Sequence, residues 1–163
     1  MNSAHLHLLV NHVPIIGGAF ASLLLLWGIL KGGKPVIYAA LAMLILCGVA
    51  SGLAMNSGEG AEEVLENPVY GVSEQAMHAH EEAAEFANWF MIAVSVLSLA
   101  TLAVSRLRER RIFHIILLVL SLGANAAMAR TGFLGGKIRH TEISGAAGGQ
   151  ATEQPGGEEE DDD

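Results

Sequence analysis

The sequence predicts an all-α, polytopic membrane protein: a bundle of four transmembrane helices with both termini on the extracytoplasmic side. Three observations carry this reading. Of the 163 residues, 52% are hydrophobic, and the mean hydropathy is +0.42, a membrane composition rather than that of a soluble core. Apolar runs such as 15–30 and 41–50 hold no charge. The basic residues gather in two short loops, Lys31 with Lys34 and Arg106 with Arg108, Arg110 and Arg111, where Glu109 is the one acid. By the positive-inside rule these loops are cytoplasmic, and both termini and the acidic 56–79 stretch then face outward.

At this length the chain reads as one four-helix domain, 1–144, with an acidic tail, 145–163. Residues 1–11 lack the positive region of a cleaved signal peptide, so the first apolar segment is expected to stay. The first helix is expected over 12–30, with Pro14 in its first turn, where a missing N–H costs nothing. Lys31-Gly-Gly-Lys34-Pro35 is a tight reversal. The second helix is expected over 36–55, with Gly48, Ser51 and Gly52 small enough for close helix approach. Residues 60–66 fit a short amphipathic turn at the surface. The third helix, 74–105, opens with Met77-His78-Ala79-His80-Glu81-Glu82, too polar to lie unpartnered in hydrocarbon. The fourth, 112–134, meets Gly135-Gly136. Each apolar run is near the ~20 residues that cross a ~30 Å hydrocarbon core. Beyond Ser144 the chain is Gly-, Ala-, Gln- and acid-rich, a composition that buries no core. Cys47 stands alone in an apolar run, which excludes a disulfide framework and a cysteine metal site. No basic face lies outside the two tight loops, so nucleic acid is not an expected partner.

The histidines are the feature a function must explain. His5, His7, His12, His78, His80 and His140 all return to the outer side, and His114 is left alone on the other. On the third helix His80, Ala83, Ala84, Ala87 and Met91 share one stripe, and His78, Glu81, Glu82 and Glu85 share the next. An imidazole above small residues suits a flat macrocycle, because His is a common axial ligand of haem iron. The expected ligands are His80 and His12, with His140 in reserve. Arg130, Lys137 and Arg139, which break the charge rule, would meet haem propionates, guanidinium and carboxylate pairing as a fork. An Arg130–Glu85 salt bridge competes with that role. The same residues offer a second chemistry, a Cu, Zn or Fe ion on His7, His12, His78 and His80. A histidine that merely hydrogen-bonds at headgroup level is the simpler reading of any one of them, and His114 is expected to be interfacial. Asn88 and Asn125 are expected to bond between helices. No nucleophile–base pair, phosphate loop or His-Glu-x-x-His motif occurs.

His7-Leu-Leu-Val-Asn-His12-Val-Pro14 resembles the opening of a family of bacterial four-helix inner-membrane proteins of unknown function. Ser51-Gly52-Leu53 and Gly135-Gly136-Lys137-Ile138-Arg139-His140 are similar too, so the likeness covers about residues 5 to 143. It implies a polytopic inner-membrane protein with a suspected b-type haem, and at matching positions it points to His7, His12 and His140. The function expected from all this is a b-type cytochrome-like electron-transfer subunit in the bacterial inner membrane. Its partners would be lipid and other membrane or extracytoplasmic redox subunits. The alternatives are an outward-facing metal-binding membrane protein and a structural subunit.

Overall fold

A computed structural model describes residues 3–31, 33–65 and 73–139. His140 and the acidic tail lie outside the described residues. Within them the chain is all-helical: α1 (Ser3–Val10), a π-helical turn (Val13–Gly17), α2 (Gly18–Lys31), α3 (Lys34–Leu65), α4 (Glu74–Ala103), α5 (Ser105–Arg108) and α6 (Arg111–Arg139). Four stretches are long and apolar enough to cross a bilayer: Ser3–Lys31, Lys34–Glu63, Glu74–Ala103 and Arg111–Ile138.

The helices overrun the expected bounds at their outer ends. The first is helical from Ser3 rather than from residue 12, α3 continues to Leu65 through the expected surface turn, and α6 runs past Gly135-Gly136 to Arg139. The reason is packing beyond the hydrocarbon. α1 lies against α3, and α4 against α6, along these extensions, so tertiary contact outweighs the weak helix propensity of glycine. α1 ends at Val10, and Pro14 falls in the opening turn of the helical stretch that follows, as expected. With no N–H to give, it cannot close a normal turn, and the chain widens into the π-helical turn at Val13–Gly17.

The reversal after α2 is closed by Gly33 N–H donating to the Gly28 carbonyl at 3.2 Å, and Pro35 follows where no donor is needed. At α4's inner end Val104 is extended (φ −96°, ψ 110°), which breaks the ladder before α5. Lys34 pairs with Glu109, and the Arg108 guanidinium lies 5.8 Å from the Tyr38 ring centre. The two basic loops thus meet at one end of the bundle.

Packing runs α2 on α3, α3 on α4 and α4 on α6, with α6 closing more lightly on α2. The first and third spans are therefore diagonal. Leu25, Leu41, Leu44, Met91, Val94 and Leu117 fill the interior among alanines. Lipid tails are as apolar as leucine, so association here relies on close approach and polar bonds. Gly48 shows the first: a Cβ there would lie 2.3 Å from Ser95 Cβ. Ser51 Oγ donates to Asn88 Oδ1 at 2.9 Å, and Ser22 Oγ donates to Ser121 Oγ at 2.8 Å. Asn125 Nδ2 donates to Ser22 Oγ at 2.9 Å and to the Gly18 carbonyl at 3.3 Å. Large apolar side chains cover the outside, among them Leu30 at 65% and Leu46 at 64% exposure. Such a surface suits lipid and would aggregate in water.

Candidate functional site

Spans of 28 to 30 residues exceed what the hydrocarbon needs, so their ends carry polar groups past it. At the end opposite the basic loops two half-buried imidazoles repeat one device. His7 on α1 donates its Nδ1–H to the Ala54 carbonyl of α3 at 2.9 Å. His80 on α4 donates its Nδ1–H to the Thr131 carbonyl of α6 at 3.0 Å. Carbonyl oxygen only accepts, so Nδ1 carries the proton in both rings, and the neutral ring keeps its lone pair at Nε2.

A helix carbonyl is normally shielded by the side chain four residues on, because side chains lean back toward the N-terminus. Four residues beyond Ala54 is Gly58, and four beyond Thr131 is Gly135. Each ring lies over its glycine. A Cβ at Gly58 would be 3.8 Å from His7 Cε1 and Nδ1, while one at Gly135 would be 3.0 Å from His80 Cε1 and 3.2 Å from its Nδ1. Both glycines open a carbonyl's second lone pair, and Gly135 is the tighter seat. The two imidazoles stand on diagonal spans, within electrostatic reach of each other. Fixing Nδ1–H on a carbonyl and presenting Nε2 is how ligand histidines are oriented.

The other expected site residues are dispersed. His12 is exposed where α1 gives way to the π-helical turn, seven residues from the equally exposed His5 and so on the same outward face. His78 is exposed, with Nδ1 3.6 Å from Glu82 Oε1 one turn on. The carboxyls of Glu62 and Glu81 lie close to each other, with His78 nearby. Arg130 is exposed, and among the described residues no ion pair joins it to Glu85. Lys137 Nζ sits 4.7 Å from the Phe133 ring centre. The Arg139 side chain and His140 lie outside the described residues. Among those residues no three of His, Cys, Asp and Glu gather to hold an ion. The stripe below His80 is closed by packing, since Ala83, Ala87 and Met91 are buried in the core.

His114 differs most from expectation. It is 5% exposed, a core residue rather than an interfacial one. The signal was its spacing: His114, Leu117, Ser121, Ala124 and Met128 recur at intervals of three and four, and all are buried. No protein-family model, curated protein or solved structure matches the chain.

Proposed function

We propose that this chain is a b-type cytochrome-like electron-transfer subunit of a bacterial inner membrane, its iron held by Nε2 of His80 and of His7 at the outer end of the bundle. The single observation that carries the reading is the repeated tether. Two imidazoles on diagonal helices each spend Nδ1–H on a backbone carbonyl, which leaves the ligating nitrogen available and the ring orientation fixed. His7 takes the place first given to His12, because His12 is turned outward. With Ala83, Ala87 and Met91 packed in the core, a macrocycle is excluded from the level of Ala83 and below. A bound haem supplies one-electron chemistry; the chain's own part is to hold the two nitrogens and to set their basicity through the carbonyl bonds.

The basic end then faces the cytoplasm and both termini face outward. A reporter fused after Arg108 tests this and should read as cytoplasmic. Membrane and extracytoplasmic redox subunits are the partners this reading implies.

A second reading is a Cu, Zn or Fe ion on the same imidazoles; the neighbouring Glu62 and Glu81 carboxyls near His78 favour it, since they add oxygen donors at that end. A reduced-minus-oxidised visible spectrum of the purified protein separates the two. A sharp α-band with a Soret shift, lost in both His80→Ala and His7→Ala, supports haem. A flat spectrum with stoichiometric metal by elemental analysis supports the ion. Neither signal would leave the imidazoles as helix-to-helix ties alone.

A further inference from the structure

The opposite end of the bundle holds a second polar site. The His114 ring lies beside the Arg108 backbone, and its Nε2 is buried with no protein partner. Ser98 Oγ and Arg108 Nε are also buried without protein partners. Ser98 is fully buried on α4. Unlike Thr101, whose hydroxyl donates to the Leu97 carbonyl at 2.8 Å, it does not return its proton to its own helix.

These groups lie at one level. His80 against Thr131 and Phe90 against Gly123 fix the antiparallel register of α4 and α6. Eight residues further along α4 is Ser98, and about as many back along α6 is His114. Arg108 Nη1 donates to the Leu102 carbonyl, one turn beyond Ser98 on α4, at 3.3 Å. A guanidinium N–H donates, a hydroxyl donates or accepts, and Nε2 does one or the other with the ring's tautomer. Water, with two protons and two lone pairs, satisfies all three in either case. A direct Ser98–His114 bond would partner two of them, and neither has a partner.

We propose that Ser98 Oγ, Arg108 Nε and His114 Nε2 bind a single buried water, which ties α4 to α6 at the inner end. Two to four polar partners are what a buried water requires, and three buried groups left bare would each carry a desolvation cost. The site is made of three single polar atoms, the number of partners one water takes. It is independent of any cofactor at the outer end.

The test is a water-to-protein NOE on the full-length protein in detergent, backed by a mutant cycle. A long-lived water should give cross-peaks to His114 Hε1 and Ser98 Hβ, lost in Ser98→Ala. Ser98→Ala and His114→Phe should each lower the folding equilibrium constant about 2- to 10-fold, and the double mutant should lose clearly less than the product. Cross-peaks absent from the wild type, or single losses that multiply in the double mutant, would overturn the proposal.

Discussion

Gly135→Ala separates what holds the bundle together from what orients His80. The new Cβ would stand 3.0 Å from His80 Cε1 and 3.2 Å from Nδ1, closer than an ordinary carbon contact of 3.5–4.0 Å. The ring must back away by a few tenths of an ångström, and the bond from Nδ1 to the Thr131 carbonyl, now 3.0 Å, stretches or breaks. Losing a hydrogen bond of this kind costs about 0.5–1.5 kcal/mol. Replacing glycine by alanine within a helix returns about 0.5–1 kcal/mol. The two nearly cancel, so Tm in detergent should shift little while the state of one imidazole changes. The assay is ¹⁵N NMR of histidine-labelled protein, in which the two tautomers have distinct ring-nitrogen shifts. His80 should read as Nδ1-protonated in the wild type and as a tautomer mixture in Gly135→Ala. Gly58→Ala is the control, because 3.8 Å leaves room beside His7: His7 should keep its tautomer and stability should rise. An unchanged His80 spectrum together with a clear gain in stability for Gly135→Ala would refute the argument that this glycine seats the ring.

Three further substitutions probe the frame. Gly48→Ala puts a Cβ 2.3 Å from Ser95 Cβ and should destabilise the bundle by about 1–3 kcal/mol by thermal unfolding in detergent, with Ser95→Gly restoring part of it. Ser51→Ala removes the donor to the buried Asn88 Oδ1 and should cost about 1–3 kcal/mol, more than Ser51→Ala paired with Asn88→Leu costs. The hydrogen bond from Lys34 holds the Glu109 carboxyl below its ordinary range. Its contribution is therefore full above the unfolded carboxylate pKa of about 4.3 and fades as pH falls through the folded value. A ¹³C titration of Glu109 should move upward in Lys34→Gln, and salt should shrink the difference because both side chains are exposed.

Composition and charge placement carried the frame. Four apolar runs and two basic loops sufficed to place four spans and to predict that the loops sit together, because hydrocarbon thickness and backbone satisfaction leave a membrane chain few options. Helix ends were harder to read. Glycine pairs look like stops to a local rule, yet α6 passes through Gly135-Gly136 because another helix rests on it. The same non-locality governs the site. His12 and His7 are equally histidine-rich in context, and only rotation about α1 decides which one faces α3. That rotation is set by how α1 packs on α3, whose Ala54 carbonyl lies 47 residues along the chain from His7, a relation no window along one helix contains. His114 is the opposite case. Its burial is written in its own helix's spacing, although the arginines beside it suggest an exposed position. A histidine's residue type is thus less informative than the face it falls on. The outer-end pair has both the face and the tether; His12 has neither.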